Sequence, residues 1–339
     1  MAAPRVRITL DLRAPGKARG QVLVPLSSDE SAYGYVPLPI TVIARGAGPT
    51  ILLTGGVHGD EYEGPILLAR LADELEPQQV AGRLLILPAL NLPALEAGRR
   101  TSPLDGLNLN RVFPGRLAGG PTELIADVVA EQLLPECDVL VDVHSGGRSL
   151  LYTPLAATHL LDEPERDRRA LEALRAFGAP YALVARDLDS HGLLDHTAEA
   201  MGKLVVSTEL GGGGIVSPRA LRVGEHGVRR LLRHLGVLSD DLAPQPGGAS
   251  RLIEIANDDA FAFAPASGIY EPCIELEEIV AASDTLGLVH PLALNGEPPR
   301  SVRASRPGIL ICRRAQGSVR PGDCVALVAS ELSSWPGLD

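Results

Sequence analysis

The sequence predicts an α/β fold in which a mixed, mostly parallel sheet is flanked by helices, followed by a small all-β domain. Strand-like and helix-like segments alternate from about residue 38 to residue 236, which is typical of a parallel sheet covered on both faces. The composition is 45% hydrophobic but only 3% aromatic, so we expect an aliphatic core. Helical periodicity stops at PQPGGAS, residues 244–250, where a linker is predicted.

The individual elements follow from hydrophobic periodicity and from the turn residues between apolar runs. Strands are predicted over residues 5–12, 20–24, 38–46, 51–54, 83–90, 137–145, 181–186 and 203–213. Helices are predicted over residues 65–75, 122–134, 165–178, 193–202 and 218–236. Pro65 suits the first turn of its helix, because a proline there leaves no additional donor unpaired.

Two domains are expected from a chain of this length. We predict a catalytic domain over residues 1–243, which includes N-terminal strands in residues 1–37, and an all-β domain over residues 250–332. The second domain resembles a barrel-sandwich, biotinyl/lipoyl-like module. No lysine follows Lys203, so a carrier function is excluded and a lid or assembly role is expected.

Charge and cysteine content narrow the classes of partner. The chain has 31 basic and 42 acidic residues, a net charge of −11, which argues against a nucleic-acid partner and an anionic membrane surface. The 4 cysteines show no CxxC pair, so no thiolate metal site or disulfide framework is predicted. The N-terminal segment lacks a signal-peptide pattern and no apolar run reaches membrane-span length, so a cytoplasmic location is expected. A homo-oligomer formed through the β domain is compatible with the sequence.

The run GGVHGDEYEG, residues 55–64, has the spacing of metal ligands. His58 and Glu61 lie three residues apart in a glycine-flanked turn directly after an apolar strand, so their side chains can converge on one Zn²⁺. His144, in VLVDVHSGG, also follows an apolar strand and is the predicted third ligand, because the carboxyl ends of parallel strands open onto a common crevice.

A chance occurrence is the alternative for this motif, since an HxxE spacing alone is often only a surface turn. The chain contains just 8 histidines, and two separate strand-then-glycine segments each carry one at the same kind of position. This repetition favours a metal site.

Glu209, in VVSTELGGGG, is the predicted general base. It ends another strand beside a glycine run that leaves room for a substrate; an exposed strand-end glutamate is the alternative. Asp142 lies two residues before His144 and therefore on the same strand face, where it would either orient a ligand or form a strand-end salt bridge.

The polar loop GRRTSPLDGLNLNRVFPG, residues 98–115, supplies the predicted substrate contacts. Arg111, with Asn110, would hold a substrate carboxylate, and either Arg99 or Arg100 would meet an oxyanion. Solvated loop arginines are the alternative interpretation.

Taken together, HGDE, NLNR, VDVHSGG and the TELG glutamate resemble the succinylglutamate desuccinylase and aspartoacylase family, a branch of the zinc-carboxypeptidase superfamily. The resemblance covers about residues 38–236 and implies a zinc-carboxypeptidase-like fold with one Zn²⁺ per chain. It also implies the following roles: His58, Glu61 and His144 as zinc ligands, Glu209 as general base, Asn110 and Arg111 as the carboxylate-binding pair, and Arg100 as the oxyanion cation.

Within that family, three longer phrases are similar to the Nα-acetyl-L-2,4-diaminobutyrate deacetylases of ectoine degradation: VPLSSDESAYGYVPLPITVI, GGVHGDEYEGP and RRTSPLDGLNLNRVFPG. This similarity implies hydrolysis of a small N-acyl amino acid, in which a metal-activated water attacks the acyl group with Glu209 as base. The alternatives are a desuccinylase or aspartoacylase acting on another N-acyl amino acid, a metallocarboxypeptidase, and a non-catalytic binding protein that retains zinc.

Overall fold

The computed structural model describes residues 6–185, 191–239, 242, 244, 248–291 and 297–335. The strands are β1 Arg7–Ile8, β2 Gly16–Leu26, β3 Gly34–Arg45, β4 Thr50–Gly55, β5 Gly82–Leu87, β6 Val139–His144, β7 Leu150–Tyr152, β8 Leu155–His159, β9 Tyr181–Ala185, β10 Leu204–Glu209, β11 Arg251–Ile255, β12 Phe261–Phe263, β13 Gly268–Pro272, β14 Ile279–Val280, β15 Thr285–Pro291, β16 Arg300–Arg303, β17 Gly308–Arg314, β18 Ser318–Val319 and β19 Cys324–Glu331. The helices are α1 Glu63–Glu74, α2 Leu92–Glu96, α3 Pro121–Val128, α4 Pro164–Phe177, α5 Leu194–Ala200 and α6 Pro218–His234. The predicted strand positions 5 and 186, and part of the linker predicted at 244–250, lie outside the described residues.

One large sheet organises the molecule, and its strands run in the order β1-β2-β3-β5-β4-β6-β10-β8-β9-β11-β19-β17-β14. Its centre is parallel, from β5 through β4 and β6 to β10, whereas β3 and β8 run antiparallel to their neighbours β5 and β10. Beyond β8, strands β9 and β11 are parallel to it. The predicted mixed, mostly parallel sheet flanked by helices is thus confirmed.

Burial on both faces of the sheet explains why successive residues inside its central strands are apolar. In β4, Ile51 and Leu53 contact a core shared with helices α1, α4 and α6, while Leu52 between them contacts a second core on the opposite face. Helices α3 and α5 contribute Ile125 and Leu194 to that second core. Because side chains alternate along a strand, both faces require a continuous apolar run.

A separate four-stranded antiparallel sheet, in the order β16-β15-β13-β18, forms near the C-terminus. Its apolar side chains share a small core with β17 and β19, which belong to the large sheet. A small all-β unit therefore follows the α/β part, as the sequence predicts.

Several features differ in detail from the prediction: the short elements α2 and β7 are additional, and the helix predicted over residues 122–134 is α-helical only over Pro121–Val128. Strand β8, residues 155–159, was not predicted; it inserts between β10 and β9 and makes the sheet mixed at this point. Strand β11 begins at Arg251 but pairs in parallel with β9, so the large sheet continues past residue 250. The domain division at 243 and 250 stays a prediction.

The topology brings together the ends of β4, β6 and β10, which are neighbours with parallel registers. The segments after β4 and β6 and the last residue of β10 therefore meet at one edge, where ligand crevices form in open α/β sheets. Among the helices of the described ranges, none is both long and apolar enough to cross a membrane.

Candidate metal centre and active site

Three predicted ligands meet at this edge of the sheet. His58 and Glu61 lie in the turn between β4 and α1, and His144 is the last residue of β6. One ligand atom from each lies within 4.8 Å of the other two, and all three side chains are buried. The chain thus brings together two imidazoles and one carboxylate that could hold a metal ion.

Glycine is required in the turn that carries the first two ligands. Gly56 has φ = 66°, a left-handed conformation that favours glycine. At Gly59 an added Cβ would lie 1.9 Å from the carbonyl carbon of Ala94, so any side chain would collide with that backbone. These two positions let the turn bend sharply and pack closely, which directs His58 and Glu61 inward.

Both imidazoles present the same nitrogen to the shared carboxylate. Nδ1 of His58 lies 2.7 Å from Oε1 of Glu61, and Nδ1 of His144 lies 2.8 Å from Oε2. The outer nitrogens have their own partners: Nε2 of His58 is 3.1 Å from Oδ1 of Asn108, and Nε2 of His144 is 2.8 Å from Oδ2 of Asp142. Such outer partners fix the orientation of metal-binding histidines, so the donor set fits a divalent metal.

The electrostatics of the cluster also suit a cation. Burial alone would raise the pKa of Glu61, but His58 and His144 outweigh it and hold that pKa below its usual range. Burial lowers the pKa of His58 despite the opposing effect of Glu61. Burial also acts to lower the pKa of His144, yet Asp142 and Glu61 raise it well above its usual value. Glu61 is therefore ionised between the two rings.

Asp142 and Asn108 complete the support of the two rings. Oδ1 of Asp142 accepts a hydrogen bond from the hydroxyl of Thr54 at 2.7 Å while Oδ2 faces His144, so the ligand-orienting alternative describes its position. Asn108 was not singled out from the sequence. It is the first asparagine of the NLNR motif, and its Oδ1 also accepts the backbone N–H of Asn110 at 3.0 Å.

Glu209 ends β10 directly beside the cluster, because the strand register pairs it with His144. Its Oε2 is fully enclosed and has no hydrogen-bond partner in the described part of the chain. Burial, and to a smaller extent Glu61, raise the pKa of Glu209 to about 8 against the opposing effects of His144 and Arg100. An unpaired carboxylate with a pKa near neutrality is suited to proton transfer.

These groups open onto one cavity of about 280 Å³. Arg100 is in its lining and Arg99 is not. Nη1 of Arg100 lies 3.5 Å from Oε1 of Glu61, and its side chain is 46% exposed, so the guanidinium can shift toward a bound molecule. The geometry therefore favours Arg100 over Arg99 as the cation of the site.

Asn110 and Arg111 also line the cavity. Oδ1 of Asn110 accepts the backbone N–H of Leu194 at 2.8 Å, which ties the loop to the start of α5. Nη1 of Arg111 donates to the carbonyl of Asn110 at 2.6 Å. Gly192 packs against the Arg111 backbone with φ = 77°, where an added Cβ would lie 2.4 Å from the Arg111 carbonyl oxygen. The predicted carboxylate-binding pair is thus held in place within the cavity.

Comparison with known proteins places these residues in a family context. Residues 47–235, more than half of the chain, match the succinylglutamate desuccinylase/aspartoacylase catalytic domain. The chain is 43% identical over 329 residues to the N-alpha-acetyl-L-2,4-diaminobutyric acid deacetylase of Halomonas elongata, which spans 97% of this chain and 96% of the relative.

Solved structures agree with that match. The product-bound ectoine utilization protein EutE (DoeB) from Ruegeria pomeroyi has a TM-score of 0.92 and 44% identity, covering 96% of this chain and 98% of that one. A succinylglutamate desuccinylase/aspartoacylase from Rhodobacter sphaeroides has a TM-score of 0.93 and 36% identity, covering 98% and 100%. The motifs, the fold and these matches agree, and the chain belongs to the succinylglutamate desuccinylase/aspartoacylase family.

Proposed function

We propose that this protein is a zinc-dependent amidohydrolase that removes the acetyl group from Nα-acetyl-L-2,4-diaminobutyrate. The observation that carries the proposal is one small cavity lined by the buried histidine and carboxylate cluster, by an unpaired glutamate and by two arginines. The full-length relative from Halomonas elongata carries the name of this deacetylase, and family members are named for the cleavage of acyl groups from amino acids. Enzymes with such names hydrolyse linear amide bonds.

His58, Glu61 and His144 would hold the zinc ion, with Asn108 and Asp142 fixing the two rings from behind. When bound, zinc supplies a Lewis acid that polarises the acyl oxygen and lowers the pKa of a coordinated water. The single carboxylate in the set leaves a net positive charge at the centre of the site. That charge would attract the acyl oxygen.

Glu209 would move the proton. Its buried Oε2, free of protein partners in the described residues, accepts a proton from the attacking water and then returns it to the amide nitrogen as the C–N bond breaks. The products are a carboxylate and a free amine. In the metal-free site, burial and Glu61 hold the pKa of Glu209 above its usual range, which makes this carboxylate a stronger base than an exposed glutamate.

Arg100 would stabilise the oxygen that gains negative charge in the attack, because its guanidinium lies at the cluster and is partly free to move. Asn110 and Arg111 would bind the α-carboxylate of the substrate through their amide and guanidinium groups. With one end held by this pair, the acyl carbon is directed toward the metal and Glu209.

The size of the cavity supports a small substrate over a peptide. About 280 Å³ is just below the usual range for ligand pockets, about 300 to 1,000 Å³, and suits an acylated amino acid. The metallocarboxypeptidase alternative is therefore not favoured. The cytoplasmic location and the homo-oligomer expected from the sequence stay predictions.

A substrate panel tests the proposal. Zinc-loaded protein should release amine from Nα-acetyl-L-2,4-diaminobutyrate. The kcat/KM for this substrate should be at least about tenfold above that for N-acetylaspartate, succinylglutamate and dipeptides with a free C-terminus. Tenfold corresponds to about 1.4 kcal/mol in transition-state stabilisation. Faster turnover of one of the other acylated amino acids would replace the substrate assignment. Faster peptide cleavage would indicate a carboxypeptidase, and no hydrolysis by the metal-loaded protein would indicate a binding protein.

A further inference from the structure

Asp195 is a buried acidic residue in the wall of the site cavity, and none of the roles above uses it. It lies in the first turn of α5, is 9% exposed, and shares the cavity lining with His144 and Glu209. Its Oδ1 is fully enclosed without a hydrogen-bond partner among the residues described. A buried carboxylate oxygen without a partner is costly, so its presence calls for a donor from a bound molecule.

The charges around Asp195 favour a cation there. Two further acids, Asp142 and Glu199, lie close enough to raise its pKa, while His159 and His144 oppose them; burial, the largest cause, raises that pKa to about 7. Nδ1 of His159 bonds Oε1 of Glu199 at 2.9 Å and both nitrogens of His144 have partners, so each histidine is already paired with another carboxylate. A positively charged ligand would offset the excess negative charge of the acidic groups around Asp195.

A neutral oxygen atom also belongs to the cavity lining. Ser207 lines the cavity on the same strand face as Glu209, two residues along β10. An ammonium group has three N–H donors, and the Asp195 carboxylate and the Ser207 hydroxyl in this lining are acceptors for two of them.

The position of Asp195 relative to the carboxylate-binding pair also suits contact with a substrate side-chain amine. The backbone N–H of Leu194, one residue before Asp195, donates to Oδ1 of Asn110 at 2.8 Å. The residue proposed to hold the substrate α-carboxylate is therefore joined directly to the turn that carries Asp195. A diamino acid held by its α-carboxylate has its side-chain amine only two methylenes from its α-carbon.

Resting on the proposed function, we propose that Asp195 forms an ion pair with the side-chain ammonium of the substrate and thereby selects N-acyl diamino acids. An N-acylated amino acid with a neutral side chain would leave Asp195 unpaired, and one with an acidic side chain would place two carboxylates together. Both kinds of substrate would bind more weakly, so Asp195 selects substrates by charge as well as by shape. Asp195 is a binding residue and takes no part in proton transfer.

The test compares two substrates of nearly equal shape, Nα-acetyl-L-2,4-diaminobutyrate and Nα-acetyl-L-norvaline, in which a methyl group replaces the ammonium. With zinc-loaded full-length protein, Asp195→Asn should lower kcat/KM for the first by about 10²-fold, mainly through KM, because truncating one partner of a buried charge pair costs affinity of that order. Its kcat/KM for the norvaline substrate should stay level or rise. Asp73→Asn, which removes an equal charge at a 70% exposed position, is the matched control and should change neither value.

Each outcome decides the inference. An equal loss on both substrates, or no change in the preference, would overturn the role of Asp195. The wild type alone gives a second measurement: it should prefer the diaminobutyrate substrate by about 10²-fold, and a ratio near one would refute the ion pair even if the variant did not fold. Failure of the wild type on both substrates would refute the proposed function itself, whereas activity with an unchanged preference in the variant refutes this inference alone.

Discussion

Replacing Glu209 with glutamine separates its chemistry from its packing, because the amide keeps the shape of the side chain and loses its basicity. Acid–base catalysis by one positioned side chain contributes about 10²-fold to 10⁴-fold in rate. Glu209→Gln should therefore lower kcat by that range while zinc content and KM for the proposed substrate change little. Turnover within about tenfold of the wild type, a loss of only 1.4 kcal/mol, would refute the assignment.

The same substitution has a calculable effect on stability. Burial raises the pKa of Glu209 from 4.5 to about 8, so the folded metal-free protein disfavours the ionised form. Protonated Glu209 therefore contributes to the free energy of unfolding. This contribution is complete below pH 4.5 and is lost as the pH rises toward 8. Each tenfold change in acidity corresponds to about 1.4 kcal/mol, so the contribution lost between these two pH values is on the order of a few kcal/mol.

Metal-free Glu209→Gln should accordingly melt at a higher temperature than metal-free wild type at pH 8, and at a similar temperature at pH 4.5. Differential scanning calorimetry of the two proteins after chelation measures this. Glu96→Gln, a substitution of an exposed glutamate outside the cavity lining, is the control for the loss of one charge. A lower melting temperature for Glu209→Gln at pH 8 would mean that the carboxylate stabilises the fold, contrary to its unpaired position.

Three more predictions concern the metal and its surroundings. His58→Ala should lose bound zinc in metal analysis of the purified protein, while His290→Ala, at a 44% exposed histidine, keeps it; equal zinc in both would contradict the ligand set. Asn108→Ala should weaken zinc binding by about 10-fold to 100-fold in a chelator competition, because it frees the outer nitrogen of a ligand, and unchanged affinity would rule out that support. Arg100→Ala should lower kcat by about 10²-fold to 10³-fold and Arg99→Ala should not; the reverse order would exchange their roles.

The sequence predicts the centre of the site because its residues follow apolar strands. His58, Glu61 and His144 each lie directly after or at the end of such a run, and parallel neighbours place strand ends together. Adjacent arginines are a different case: spacing cannot distinguish Arg99 from Arg100, because a loop has no fixed period. Only the folded chain shows that Arg100 lines the cavity.

Other elements carry too weak a local pattern to be found. Strand β8 has the sequence LAATH, in which alanine and threonine give no clear alternation, and its place between β10 and β9 depends on pairings distant in sequence. The sequence pattern indicates only that Asp195 is an acidic residue in the first turn of a helix. Its enclosure becomes visible only when α5 packs against the sheet beside the cavity.

The C-terminal part of the chain supplies part of the cavity wall, and this limits how the protein can be re-engineered. Strand β17 pairs with β7, whose Leu150 and Tyr152 line the cavity, and Phe261 and Leu327 from beyond residue 250 join the same lining. A chimera that exchanges this part for that of a relative would alter the substrate pocket as well as the appended module. Grafting the two parts independently should therefore change selectivity even when every metal ligand is retained.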